Sequence, residues 1–383
     1  MLTKNINFKG FNLKKKNRSI KNDKKLLLQE DTAIVRSLSR SYQNSYNKTL
    51  IRKLKNFSNL KIIGIGGSIL GAESIYSFLK NKIKKKVIFI NNLETKKKIL
   101  KNKKELNLII SKSGNTLETI VNSNILIKSK HNLIITENVN SYLVLLAKKL
   151  KAEIINHNNF IGGRYSVLSE VGMLPAELMG LNLNKFKQLN NLIKNKNYIN
   201  SLTLNVANML YFIKQKKCNS IIINYDPRSE NLFKWYQQLV AESLGKKGQG
   251  VLPIISTMPK DNHSVMQLYL DGPRNNFFTF FNVKEKTSNT IIDRQILPTY
   301  NYLKGKSVDQ IIFAQKKATE QVFLKRNIPF RSFDILQRNE KSLGELFCFF
   351  MLETILLGRA LKINPYDQPA VEMIKKETRK ILI

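Results

Sequence analysis

A chain of 383 residues, 42% of them apolar, has enough material for a buried core, either in two domains or in one large composite domain. Cys218 and Cys348 lie far apart beside apolar stretches, which argues against a disulfide framework and for reduced core thiols. The formal net charge of +38 would suit a polyanion partner, but Lys is scattered along the whole chain among abundant Asn and Ile with little Arg. That is the signature of a bias towards AT-rich codons, so no nucleic-acid partner is expected, only a salt-sensitive attraction to phosphorylated substrates.

Residues 1–25 carry little apolar periodicity and are expected to be partly disordered. The opening MLTKNINFKGFNLKKK has no apolar h-region, so the expected location is the cytoplasm. From residue 60 to 157, short apolar strands alternate with helical spacing. The strands are Leu60–Ile65, Val87–Ile90, Leu106–Ile110, Leu133–Thr136 and Glu153–Asn156, and the helices are Ala72–Ile83, Leu117–Lys128 and Tyr142–Lys149. A Lys-rich helix or loop follows Ile90. This alternation predicts a parallel sheet covered on both faces.

The polar stretch Asn182–Asn200 reads as a connector. The same α/β logic then returns, with strands at Ile221–Asn224, Phe277–Val283 and Pro329–Ile335 and helices at Leu232–Ser243, Lys306–Arg326 and Ser342–Leu361. An amphipathic helix over Asp367–Ile381 closes the chain. The longest strictly apolar run, Leu346–Leu352, stops at Glu353, well short of the ~20 residues a membrane span needs.

Two turns carry chemistry. Gly64-Ile-Gly66-Gly67-Ser68-Ile-Leu-Gly71 lies between a strand and a helix, where glycines let backbone N–H groups approach an anion at the positive end of the helix dipole. A dinucleotide fingerprint fails at Ile69, and the next strand ends in Asn91-Asn92 rather than a ribose-binding acid. A Walker A loop fails because Ala72-Glu73 follows Gly71. The second turn, Ser111-Lys112-Ser113-Gly114-Asn115-Thr116, also follows a strand, and Asn115 with Glu118 predicts an N-cap with a reciprocal carboxylate. Two hydroxyl-rich turns at neighbouring strand ends would form a phosphate cup. His131, His157 and His263 include no pair at metal-ligand spacing, so neither metal nor cofactor is expected.

Taken together these turns resemble the sugar-isomerase (SIS) fold, and four downstream segments sharpen the likeness. Gly162-Gly163-Arg164-Tyr165-Ser166, Ala241-Glu242-Ser243-Leu244-Gly245-Lys246, Asn262-His263-Ser264 with Gln267–Arg274, and Asn364-Pro365-Tyr366-Asp367-Gln368-Pro369-Ala370-Val371-Glu372 are similar to motifs of the glucose-6-phosphate isomerase family, in family order. The resemblance implies an α/β fold of two SIS-type, doubly wound parallel-sheet (flavodoxin-like) domains with flanking helices. It implies residues 1–45 as an arm packing on the second domain, 46–181 as the first, phosphate-binding domain, and 182–383 as the second with the C-terminal helices. The implied reaction interconverts glucose 6-phosphate and fructose 6-phosphate through an enediolate, in glycolysis and gluconeogenesis.

By the same resemblance Glu242 is the base and Arg164 the enediolate's cation, while His263 and Lys375 assist ring opening. Gly67, Ser68, Ser111, Lys112, Ser113 and Thr116 would hold the phosphate, with Gly163 and Gln368 at the sugar. His263 would reach the site from a partner subunit, which implies a homodimer. Asn115 and Leu244 depart from the family pattern, and the chain is shorter than typical members. Two other readings are a sugar-phosphate sensor without catalysis and a bifunctional glucose/mannose phosphate isomerase. An amidotransferase half is ruled against, because the 60 residues before the first strand cannot hold a glutaminase domain.

Overall fold

The computed structural model describes every residue except 12, 14–16, 96–103, 128–130 and 286–287. The Lys-rich segment expected after Ile90 falls largely outside the described residues.

The chain opens with β1 (Ile6–Lys9) and the helices α1 (Arg18–Gln29), α2 (Ala33–Ser37) and α3 (Lys48–Leu54). A first α/β unit follows: β2 (Asn59–Ile63), α4 (Leu70–Phe78), β3 (Lys86–Ile90), β4 (Glu105–Ile110), α5 (Leu117–Leu126), β5 (Asn132–Thr136), α6 (Tyr142–Leu150) and β6 (Glu153–Asn156). Three helices, α7 (Glu170–Leu178), α8 (Leu189–Leu192) and α9 (Lys196–Lys214), lead to the second unit. That unit contains β7 (Asn219–Asn224), α10 (Glu230–Leu244), β8 (Leu252–Thr257), α11 (Met266–Asp271), β9 (Asn276–Val283), α12 (Val308–Lys325) and β10 (Phe330–Ile335). The helices α13 (Glu340–Ala360) and α14 (Val371–Leu382) end the chain. Among the described residues no helix is long and apolar enough to cross a membrane.

The first sheet is wholly parallel, in the order β3-β2-β4-β5-β6. Every residue of β4 is buried, as a central strand with both faces covered requires. The order reverses between β2 and β4, so Gly64 and Ser111, just past those strands, flank the crevice where doubly wound sheets bind ligands. The second sheet runs β8-β7-β9-β10 in parallel, and β1 pairs antiparallel along the outside of β10.

Residues 182–200 and Cys218 depart from expectation. The N-terminal segment has ordered residues: β1 covers the edge that β10 would otherwise expose, and Thr3 Oγ1 and Asn5 Nδ2 donate to Glu345 on α13 at 2.7 and 2.9 Å. Residues 182–200 are not a bare connector, since they include α8 and the first turn of α9, capped by Asn195 Oδ1 accepting from Tyr198 N. Cys348 is buried as expected, but Cys218 is exposed. The strand β8 is hard to see in the sequence because Pro253 interrupts its apolar run; proline is tolerated there because β8 is an edge strand.

One apolar cluster reaches both sheets, from Leu60 and Ile62 to Phe277 and Phe281. Its axis is α13, which is buried on all sides from Ser342 to Gly358, as a helix apolar around its whole circumference must be. The helices α4 and α10 pack against each other between the sheets. Their senses are opposite: Gly66, before α4, lies against Gln238 near the end of α10, while Phe78 at the end of α4 meets Arg338, the ion-pair partner of Asp226 before α10.

Candidate active site

The turn after β2 is shaped by close backbone approach. Gly66 takes φ +54°, a left-handed conformation that glycine adopts without strain, and residues 66–68 form a 3-10 turn. A β-carbon on Gly67 would stand 2.2 Å from the carbonyl carbon of Gly163 and 2.5 Å from Arg164 N. The first turn therefore lies directly on the Gly162–Ser166 segment, with no room for any side chain at position 67. Gly64 in turn lies against both Ser68 and the Ile110 carbonyl, which brings the two hydroxyl-rich turns together.

In the second turn Ser111 Oγ and Thr116 Oγ1 are 2.8 Å apart. Ser113 is exposed, and its Oγ accepts from Asn115 N at 3.3 Å. The Lys112 ammonium turns away, to the Asn159 carbonyl at 2.9 Å and Glu137 at 3.5 Å, so its side chain is engaged elsewhere. The helix starts differently from expectation: Thr116, not Asn115, occupies the N-cap position of α5 and makes no side-chain cap bond. Asn115 Oδ1 instead accepts from Tyr142 N, the first residue of α6, at 2.9 Å. Neither α4 nor α5 has a side-chain cap, so both helices keep free N–H donors beside the turns.

Next to Gly163, on which the first turn lies, Arg164 is only 2% exposed. Its Nη1 donates to Glu242 Oε1 at 3.0 Å and to Gln368 Oε1 at 2.8 Å. Glu242 stands in the last turn of α10, with about a quarter of its side chain exposed to the cleft. A cleft of ≈1020 Å³ opens here, lined by Gln238, Glu242 and Gln368 together with Leu70, Lys246 and Pro369, a size suited to a small phosphorylated ligand. Sequence reasoning missed Gln238. Its Nε2 donates to Glu242 Oε2 at 2.9 Å, and its buried Oε1 has no partner among the described residues. The signal was available, because Gln238 and Glu242 are four apart on the helix expected over Leu232–Ser243.

Two expected residues are not brought in. His263 ends an exposed 3-10 turn beyond β8, and Lys375 lies on α14, which buries no residue, with its ammonium 2.6 Å from Glu372 Oε1. Neither lines the cleft, whose lining among the expected residues includes Glu242 and Gln368 but not Gly67, Ser68, Ser111, Lys112, Ser113, Thr116, Gly163 or Arg164. His157 is buried beside the cup, where burial lowers its pKa against the raising influence of Glu170. Among the described residues no group of His, Cys, Asp and Glu could hold a metal ion.

Two hydroxyl-rich turns at a strand-order reversal, joined through adjacent backbone to an Arg–Glu pair in a two-sheet α/β fold, are the arrangement expected of a sugar-phosphate isomerase. Comparison with known proteins gives the family. The phosphoglucose isomerase profile matches residues 14–383. The glucose-6-phosphate isomerase of Mycoplasmopsis pulmonis is 33% identical over 359 residues, covering 86% of this chain and 84% of that one. That of Methanocaldococcus jannaschii is 33% identical over 354 residues, covering 85% and 84%. Among solved structures, a hypothetical protein of Thermus thermophilus superposes with a TM-score of 0.82 at 23% identity, covering 95% of this chain and 94% of that one. A glucose-6-phosphate isomerase of Chlamydia trachomatis gives 0.74 at 18%, covering 95% and 83%. The chain belongs to the phosphoglucose isomerase family and is an aldose–ketose isomerase.

Proposed function

We propose that the two hydroxyl-rich turns and the Arg164–Glu242 end of the site divide the interconversion of glucose 6-phosphate and fructose 6-phosphate as follows. The phosphate is held by backbone N–H groups around Gly67 and Lys112 and by the hydroxyls of Ser68, Ser111, Ser113 and Thr116. Glu242 takes the proton from C2 of the open-chain aldose and returns it to C1, through an enediolate whose negative charge faces Arg164. Arginine suits that task because its charge is fixed in the working pH range. Gln368 and Gln238 flank the reacting carbons, and Gly163 keeps the backbone close to the sugar. The observation that carries this reading is the continuous path from Gly67 through Gly163 to Arg164 and Glu242. In this reading the path sets the span between phosphate grip and base, so that binding energy at the phosphate orients the reacting end.

The test is a coupled assay following glucose 6-phosphate formed from fructose 6-phosphate. Glu242→Gln should lose about 10²-fold to 10⁴-fold in kcat, the scale of a positioned base, while a phosphate ligand still binds. Normal turnover in that variant removes Glu242 as the base.

For ring opening we propose His263 from a second copy of the chain, together with Lys375. Supporting this, the cleft of one chain is lined by neither residue, and both are exposed. Mixing inactive Glu242→Gln and His263→Asn chains under conditions of subunit exchange should restore about a quarter of the wild-type sites, since only hybrid dimers carry one intact site. Full activity in a monomeric chain would contradict it.

A further inference from the structure

We propose that Tyr165 and Ser243 form a one-way hydrogen-bond chain that fixes the orientation of the Arg164 guanidinium beside Glu242 and Gln368, which makes both of them positioning residues. The inference rests on Arg164 being the cation that faces the enediolate.

Counting donors and acceptors leads to it. The guanidinium has five N–H groups and no acceptor. Nε donates to Ser243 Oγ at 2.7 Å, Nη1 to Glu242 and Gln368, and Nη2 to the Pro365 and Asp367 carbonyls at 2.8 and 3.1 Å. All five are used. Ser243 Oγ is therefore an acceptor towards Arg164, and its own proton must go elsewhere. The Tyr165 hydroxyl lies 2.9 Å from Ser243 Oγ and 3.1 Å from the Pro365 carbonyl. A carbonyl can only accept, so the tyrosine proton points to Pro365 and the serine proton to Tyr165. The reverse polarity would strand the serine proton in a fully buried site. Pro365 then receives two donors, which fills both lone pairs.

The chain joins three segments remote in sequence. Ser243 follows Glu242 on α10, Tyr165 follows Arg164, and Pro365 belongs to the loop carrying Gln368. Arg164 thus meets α10 at two adjacent residues, and its remaining N–H groups fix the loop. Burial pushes the Tyr165 hydroxyl up to about 12, so it remains a donor throughout the assay range. The Trp235 indole, donating to the Arg164 carbonyl at 3.2 Å, holds the backbone below.

Ser243→Ala and Tyr165→Phe, both near-isosteric, separate aiming from simple support. Each should lower kcat about 10-fold to 100-fold with KM within about threefold, because Nε of the buried guanidinium loses its acceptor in Ser243→Ala and that acceptor loses its orientation in Tyr165→Phe. Affinity for a planar phosphohydroxamate, which mimics the enediolate, should fall by the same factor. Affinity for sorbitol 6-phosphate, tetrahedral at the corresponding carbons, should hold. The double variant should be no worse than Ser243→Ala alone, since one broken link already opens the chain. Thermal melts check that each variant folds, and either one alone suffices for the test. Equal loss of both ligands, or wild-type kcat and hydroxamate affinity in a folded variant while Arg164→Lys is crippled, overturns the proposal. Wild-type turnover in Arg164→Lys would instead overturn the assignment of Arg164 itself.

Discussion

Gly67→Ala is the smallest change that should separate the phosphate grip from the base. The added methyl would sit 2.2 Å from the Gly163 carbonyl carbon, 2.5 Å from its oxygen and 2.5 Å from Arg164 N, all backbone atoms that cannot rotate aside. Carbon atoms rest about 3.5 Å apart, so the two segments must part by ~1.3 Å. Overpacking of that kind costs about 1–3 kcal/mol of stability. A displacement near 1 Å between phosphate site and reacting centre costs about 10²-fold in rate. The coupled isomerase assay should therefore show kcat/KM down about 100-fold. Gly180→Ala is the control: Gly180 has φ +86° but no neighbour within 4 Å, so it should lose about 1–2 kcal/mol of stability and no activity. Wild-type kinetics in folded Gly67→Ala would refute the claim that the contact sets the catalytic span.

Two further predictions concern buried charge. Burial pushes Lys187 down to about 7, its ammonium lying against the Ser37 and Leu168 carbonyls. Because this folded value is below the unfolded one, the unfolded chain binds more protons between about pH 7 and 10.5, and stability should rise with pH across that window. Relative to Lys187→Met, the wild type should gain up to about 3 kcal/mol from pH 7 to 9.5 in urea denaturation; a flat difference contradicts the burial argument. Arg331 pairs with Glu353 inside the second sheet's core, with Asn205 at 3.0 Å and Tyr236 at 3.2 Å. Arg331→Met should cost about 3–5 kcal/mol by leaving the buried carboxylate without its cation, with only Asn205 and Tyr236 still donating to it, and adding Glu353→Leu should recover most of it. Equal losses in the single and double variants would show that packing, not charge, matters there.

What the sequence discloses follows from how far each interaction reaches along the chain. The strands of the first sheet are legible to within a residue or two because local apolar runs such as Leu106–Ile110 are fully buried and nothing else explains them. The turns of the cup are legible because glycines and hydroxyls at strand ends have a local physical meaning. The strand β1 is not, since its partner β10 lies more than 320 residues away and only four residues pair. The start of α9 is obscured by its Asn and Lys content, and its buried Asn205 reads as polar surface until Arg331 and Glu353 are placed around it. Likewise Tyr165 and Ser243 stand inside recognised motifs, but their joint role depends on a contact spanning 78 positions.

The placement of Glu242 also depends on the far ends of the helices that carry the site. The helix α4 leaves the Gly66–Ser68 turn and ends at Phe78, while α10 begins beside Asp226 and carries Glu242 in its last turn. Arg338 ties those distant ends: Nη2 to Asp226 Oδ1 at 2.7 Å, Nη1 to the Phe78 carbonyl at 3.3 Å, and its guanidinium 4.8 Å from the Phe78 ring. With 15 residues, α10 is about 22 Å long. A helix held only at its Asp226 end could pivot there, and a tilt of a few degrees would move Glu242 by an ångström or more. Pinned at both ends against an antiparallel neighbour it cannot, so the distance from the Gly66–Ser68 turn to Glu242 is set by two rigid helices rather than by loops.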